Sequence, residues 1–495
     1  MRVVHLSTEL APIAKVGGLG DVVYGLSKEL CRQHHTVEII LPKYDTIDYS
    51  KVQDLHVECK DLWLSDGPYK YNNTIWSALV ENLRVYLVEP HHPSYYFSRG
   101  SIYGAYDDID RFLYFTRAAM EFLCKTNRSP DCIHAHDWAT ALAAPLYYDM
   151  YKPLGMRVGG VLLTIHNLEH QGKCGAHNLS RIGLRGEDYL TPEKMQDPYS
   201  PTNINLLKGG IEYADAVTTV SPNYEKEIET PEGGCGLHLV LQRNHKKIKG
   251  ILNGIDEDFW DPRKDIHLIQ KYDTHAPISK EKIEQILCAK AENKKQLRGH
   301  LGLEERHAPL VGCVARLVHQ KAPHLIIHAM RRTLSQGGQF ALLGSIHSAE
   351  MQKLFTQVKE EFSSSKNVSI SLDKDEALAH LIFASSDFFI IPSLFEPCGL
   401  TQLIALRYAS IPIARKTGGL ADTVFDIDTS PITREKRNGF VFDHPDEEGI
   451  NWALDRALAL WKKDKRDCMN LCSMGQARIL VGNTLLPSTC KSTKS

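Results

Sequence analysis

The chain has 495 residues, 43% of them hydrophobic, with 58 Lys and Arg against 60 Asp and Glu. At about 100–200 residues per domain this predicts two or three domains, each with its own apolar core. A formal charge of −2 gives no long-range attraction to nucleic acid or anionic lipid, and no apolar run reaches the roughly 18 residues of a membrane span.

The first six residues are apolar only briefly before Glu9 interrupts them, which suits a buried first strand at 3–7 better than a secretory signal. A helix is predicted over 21–33, with Val22, Leu26 and Leu30 on one face. Short apolar strands follow at 37–41, 84–88, 132–134 and 161–165, each ending in a loop, as in a parallel sheet covered on both faces. The first half closes near Asn253-Gly254. The second restarts with a strand at 311–315, a helix from about His324, and strands at 339–343, 368–371, 388–391 and 411–414. Two successive alternating arrays predict an α/β protein of two doubly wound, Rossmann-like domains. Ligands are expected at the carboxyl ends of the strands and in the cleft between the domains. The expected divisions are 1–254, 255–474 and an atypical tail, 475–495. The 12 cysteines are scattered, and Cys468 and Cys472 lack further residues to complete a metal-ligand set. Reduced thiols and a cytoplasmic location are therefore expected, with no metal and no cofactor.

The run Lys15-Val16-Gly17-Gly18-Leu19-Gly20-Asp21 joins the first strand to the first helix. Glycines let a backbone approach a ligand closely, and a helix start offers free N–H groups and a positive dipole end. Lys15 adds a full charge, so the loop could hold a phosphate. It is neither the dinucleotide fingerprint nor a P-loop. A tight turn needing glycine for its angles explains the same residues.

Further motifs follow in order: His134-Ala135-His136-Asp137-Trp138, Thr164-Ile165-His166-Asn167, Asn253-Gly254-Ile255-Asp256, Arg316-Leu317 with Gln320-Lys321, Glu396-Pro397-Cys398-Gly399-Leu400, and Thr417-Gly418-Gly419-Leu420-Ala421-Asp422. Each alone is weak. The ordered set, from Met1 to about Trp461, resembles the family of bacterial glycogen synthases and plant starch synthases. The resemblance implies a glycosyltransferase-B fold, with two domains facing across a cleft. It also implies retaining transfer of glucose from ADP-glucose to the end of glycogen or another α-1,4-glucan. Glu169-His170 stands where relatives usually carry Ala-Tyr, Ala322 where glycine is usual, and Ser345-Ile346-His347 where Gly-Asp is usual. Ile404 occupies the position of a second glutamate found in related transferases. From about Met474 the tail lacks the aromatic stripe of the family's crossover helix, so a poorly ordered or differently packed tail is expected.

Glucose transfer leaves negative charge on a departing diphosphate, which fixed cations can meet. Arg316 and Lys321, just past the first strand of the second half, have that role in the family, and Lys15 is expected to face them. Without the resemblance, a solvated Arg and Lys would be the simpler reading. Glu396, at a strand's carboxyl end, is matched to the glutamate that holds the donor glucose. A helix-start acid favoured by the dipole is its bland alternative. Donor contacts are further expected from Gly17, Gly18, Asp21, Asn253, Gly399, Leu400, Thr401, Gly418 and Gly419. Cys398 is read as packing near the donor rather than as a nucleophile. Asp137 and His166 are assigned to sugar positioning and cation stabilisation, although a lone histidine is more often a satisfied core residue. Tyr95, Arg99 and Tyr103 lie in an aromatic stretch that could contact glucan or simply fill the core. Two other functions stay open: a transferase of this fold with another donor or a small acceptor, and a non-catalytic glucan-binding protein.

Overall fold

The computed structural model describes residues 1–275, 279–346 and 348–463. The expected tail at 475–495 and the Cys468–Cys472 pair lie outside the described residues. The chain divides into two compact units, the first Met1–Ile251 and the second beginning at Leu252.

The first unit is built on a nine-stranded sheet. In spatial order its strands are Ile248–Gly250, Ala216–Thr219, Val161–Ile165, Cys132–His136, Arg2–Leu6, Thr36–Pro42, Leu83–Pro90, Asn73–Val80 and Gln53–Cys59. The first seven run parallel, and the last two turn antiparallel at the edge. That edge departs from the all-parallel expectation. Val80 and Leu83 are joined through Glu81 and Asn82 alone, at φ 46° and 69°. Positive φ at both positions gives the tight turn whose twist matches a hairpin. The usual Asn-Gly signature is absent, so the sequence does not announce it.

The first helix, Gly18–Arg32, begins three residues before the expected start. Its buried residues are Gly20, Val23, Tyr24, Ser27 and Leu30, and the partly buried Leu26 packs with Leu30 against Val3, Val37 and Cys132, as expected, while Val22 is partly buried. The helix thus buries small residues as well as apolar ones.

The second unit has a six-stranded, wholly parallel sheet. Its order is Val368–Ser371, Gln339–Ser345, Leu310–Arg316, Phe388–Ile391, Ile411–Arg415 and Phe440–Phe442. Numbered along the chain this is 3-2-1-4-5-6, the doubly wound order in which the switch point lies beside the first strand. Arg316 ends that first strand, and Phe388–Ile391 is its neighbour across the switch. Residues bound at the carboxyl ends of these two strands therefore come together.

Ala322 stands between the single turn His319–Lys321 and the helix Pro323–Ser335 at φ 50°, ψ 64°. A left-handed conformation strains any Cβ, which explains why glycine is usual here in the family. Ala322→Gly is expected to stabilise the protein by up to about 1 kcal/mol, read as a higher unfolding midpoint. A lower midpoint would mean that packing of the fully buried methyl outweighs the relieved strain. Among the described residues, no helix is long and apolar enough to cross a membrane.

Candidate active site

In the first unit the loop after the first strand is organised by Glu9, a carboxylate only 4% exposed. Its Oε2 accepts the N–H groups of Val16 at 2.7 Å and Gly17 at 2.8 Å, and its Oε1 accepts the Tyr103 hydroxyl at 2.9 Å. The Gly17 N–H is thus bonded within the protein, to the same carboxylate that holds Val16. At the start of the helix at Gly18 the N-cap residue, Gly17, supplies no side-chain cap. Lys15 pairs with Asp21 at 2.8 Å, both about one-third exposed.

Asp137 begins the short helix Asp137–Ala141 at φ 55° and turns its Oδ1 to the backbone N–H groups of His166 at 2.7 Å and Asn167 at 3.2 Å. Burial pushes its carboxyl up to about 7, against the opposing pull of those two N–H donors. His166 Nε2 lies 3.0 Å from His136 Nδ1, and His136 Nε2 lies 3.0 Å from His5 Nδ1. His134 lies alongside, its Nε2 2.6 Å from Thr164 Oγ1. Parallel register explains the grouping: His5 pairs with His134 across one strand boundary and His136 with Thr164 across the next. Burial lowers all four imidazoles, His5 to about 4 and His166 to about 3. His5, His134 and His136 put ring nitrogens within 4.8 Å of one another, close enough to share a metal ion.

In the second unit Lys321 forms an ion pair with Glu396, whose Oε2 also accepts the Ser393 hydroxyl at 2.8 Å. The two loops are laced together by backbone: Leu394 N donates to Gln320 O at 2.8 Å, and Gln320 Nε2 donates to Phe395 O at 3.1 Å. Arg316 is exposed; its backbone carbonyl accepts Val318 N–H at 2.9 Å, and its side chain has no hydrogen-bond or ion-pair partner among the described residues.

Two glycines close this loop on the next one. A Cβ at Gly418, φ 45°, would lie 2.0 Å from the Glu396 carbonyl oxygen, and one at Gly419 would lie 1.9 Å from the Cys398 carbonyl oxygen. Gly419 N donates to Glu396 O at 3.0 Å. Gly399 takes φ 69°, and the side chain of Gln402 reaches back to the carbonyls of Cys398 and Gly399 at 3.1 and 2.7 Å. Leu400 and Thr401 then open the helix Thr401–Arg407, on which Ile404 is buried. Burial raises the Cys398 thiol to about 12, and Asn253 hydrogen-bonds it. A thiol so protonated is a packing group, not a nucleophile.

The aromatic stretch separates into three environments. Tyr103 reaches Glu9, as described. Arg99 grips Asp107 through both guanidinium nitrogens, at 2.5 and 2.7 Å, and donates to Ser94 O at 2.6 Å, clamping its own loop. Tyr95 is 71% exposed at φ 49° in the turn before it. Glu169 and His170 line an open cavity of about 310 Å³ with Trp138, Asp108, Gln171 and Lys173. The sequence reading missed Glu9, His5, Ser393 and Gln402. Glu9 carried a signal, a lone carboxylate breaking an apolar run beside a glycine loop. The alternation of His134 and His136, which puts both on one face of a strand, was another.

The starch synthase catalytic domain family matches residues 2–243, and the group 1 glycosyl transferases match residues 295–469. The chain is 50% identical over 466 residues to a glycogen synthase of Protochlamydia amoebophila, covering 93% of this chain and 92% of that one. It is 50% identical over 474 residues to a probable starch synthase 4 of Arabidopsis thaliana, covering 95% of this chain and 44% of that longer protein. The solved catalytic domain of starch synthase IV from Arabidopsis thaliana, bound to ADP and acarbose, superposes with a TM-score of 0.91 at 48% identity, covering 96% of this chain and 95% of that one. The architecture is that of the glycosyltransferase-B class, and the chain belongs to the family of bacterial glycogen synthases and plant starch synthases.

Proposed function

We propose that this protein transfers glucose from ADP-glucose to the 4-hydroxyl at the non-reducing end of glycogen or another α-1,4-glucan, releasing ADP with retention at the anomeric carbon. The observation that carries this reading is the relationship to a catalytic domain whose structure holds ADP and acarbose. The cytoplasmic setting belongs to the same proposal, and thiols without disulfides at the nine described cysteines suit a reducing compartment.

In this reading the bond from glucose C1 to the β-phosphate oxygen breaks, and negative charge grows on ADP. Arg316, with an uncommitted fork of donors, and Lys321 neutralise it. Glu396, anchored by Ser393 and Lys321, accepts hydrogen bonds from glucose hydroxyls. Lys15 and the start of the first helix add a positive end for the donor. The acceptor hydroxyl joins C1 on the face that ADP leaves, and its proton passes to the departing phosphate oxygen. Asp137 and His166 position the sugar and stabilise its developing positive charge.

Incubation with radiolabelled ADP-glucose or UDP-glucose and glycogen tests the reading. Label should enter glycogen from ADP-glucose, and should still do so in EDTA, because fixed cations meet the diphosphate. No incorporation would overturn the function. Loss in EDTA restored by magnesium would overturn the role given to the cations alone.

A pH dependence follows from Asp137. Its ionised form is the one that stabilises positive charge, so kcat/KM should rise with pH through about 7. The four imidazoles nearby are all lowered by burial and do not produce this limb. The sign for stability is opposite. The folded chain keeps a proton that the unfolded chain sheds between 3.8 and about 7, so Asp137 makes stability fall as pH rises across that window. A flat kcat/KM profile from pH 6 to 8 would remove Asp137 from the reaction.

A further inference from the structure

We infer that His5, His136 and His166 form one hydrogen-bonded wire that fixes His166 as its Nδ1–H tautomer, so that His166 donates a hydrogen bond to the sugar; this rests on the placement of His166 at the donor glucose proposed above. The two links, His5 Nδ1 to His136 Nε2 and His136 Nδ1 to His166 Nε2, are each 3.0 Å. Burial keeps the three rings neutral, and a neutral imidazole carries a single N–H. His136 uses both nitrogens in links, so it must donate in one and accept in the other. Only two arrangements of protons satisfy both links.

In the first arrangement His166 Nε2–H donates to His136, and His136 Nε2–H donates to His5. The proton of His5 then sits on Nε2, a nitrogen that is buried and has no hydrogen-bond partner among the described residues. His166 would show a bare Nδ1. In the second, His5 Nδ1–H donates to His136, and His136 Nδ1–H donates to His166. The buried end is then a bare lone pair, and His166 carries its proton on Nδ1. A buried N–H without an acceptor is the rarer and more costly defect, while an under-used acceptor is tolerated. The second arrangement therefore holds. His166 Nδ1 has no hydrogen-bond partner among the described residues, and the residue is partly exposed, so its proton is available to a ligand.

The surroundings support the same direction. His134 stays outside the wire because its Nε2 is joined to Thr164, and its ring lies 4.1 Å from His136 and 4.9 Å from His5, holding both in place. Asp137 holds the His166 backbone rather than its ring. Division of labour results: Asp137 fixes where His166 stands, and His136 with His5 fixes which nitrogen bears the proton. His5 and His136 are positioning residues acting through His166. A metal ion at His5, His134 and His136 could enter only by displacing a link, since both His136 nitrogens are engaged.

The tautomers can be read by two-bond ¹⁵N–¹H correlation spectra of protein labelled at histidine, in the resting protein and whether or not it transfers glucose. The His166 signals are assigned by their loss in His166→Gln. Protonation at Nδ1 of His166 is expected; protonation at Nε2 would overturn the proposal, as would stoichiometric zinc bound at the cluster. Kinetics give an independent arm. In His136→Asn the amide can take the place of Nδ1 and still donate to His166, so turnover should stay near native. His136→Phe severs both links and should lower kcat by about 10-fold or more with little change in KM for ADP-glucose. Equal turnover of His136→Phe and native protein would sink the idea. Absence of any glucose transfer in the native protein would instead count against the proposed function, leaving the tautomer result to stand by itself.

Discussion

Arg316→Ala and Lys321→Ala are each expected to lower the turnover of glucose transfer by about 100–1000-fold, with glucan affinity close to native. In the proposed mechanism the reason is shared: each change removes a fixed cation from charge that exists fully only as ADP departs. Their effects on stability should differ, and this separates catalysis from folding. Arg316 is exposed and has no ion-pair partner among the described residues, so its removal should leave the unfolding midpoint nearly unchanged. Lys321 is the counter-charge of Glu396, whose side chain is 9% exposed, so Lys321→Ala strands a buried carboxylate. That should cost on the order of 2 kcal/mol besides the lost turnover. Glu396→Gln in the Lys321→Ala background should recover stability without recovering activity. Steady-state rates, co-sedimentation with glycogen and thermal unfolding together provide the readout. Near-native turnover of Arg316→Ala would show that the diphosphate is met elsewhere.

Gly418→Ala should be the most damaging single-methyl change in the second unit. The new Cβ would stand 2.0 Å from the Glu396 carbonyl oxygen, at a φ of 45° that already disfavours a side chain. Both obstacles are backbone, so no rotamer relieves them. The turn at 417–419 must move away from 396–398, breaking the bond from Gly419 N to Glu396 O and carrying the Glu396 carboxylate with it. Destabilisation of about 2–4 kcal/mol is expected. A displacement of about 1 Å at a positioning group can cost about 100-fold in rate. Gly25→Ala is the control: that glycine lies within the first helix with nothing within 4 Å of a Cβ, and alanine there should be neutral or stabilising. If Gly418→Ala matched Gly25→Ala in stability and rate, the close approach would not be what holds Glu396.

The second unit was the more legible half. Strands at 368–371 and 388–391 stand where alternation placed them, because fully buried parallel strands are short apolar runs bounded by loops. The short strand Phe440–Phe442 escaped, being three residues long. In the first unit the edge hairpin escaped because Glu81 and Asn82 adopt positive φ without glycine. At the site, ordered motifs picked out Lys321 and Glu396 but could not reveal that they pair. Nor could they show that Gly17 spends its N–H on Glu9. Lys321 and Glu396 lie 75 residues apart in the chain, and neither period nor spacing encodes their pairing or the turn of the Gly17 N–H back to Glu9. The imidazole wire is the extreme case: its links span 131 and 30 residues and exist only because three strands lie in one parallel register.

Glu9 has a consequence beyond the shape of its loop. One carboxylate is the common anchor of the glycine turn at 16–17 and of Tyr103, 94 residues away along the chain. Free energy spent in moving either segment is thereby charged to the other, in the manner of thermodynamic linkage. Conservative changes at Tyr103, in a stretch expected to meet glucan, should therefore register as altered affinity for the nucleotide sugar. Mutational maps of this family drawn by substrate would then show donor and acceptor phenotypes overlapping at this one buried acid.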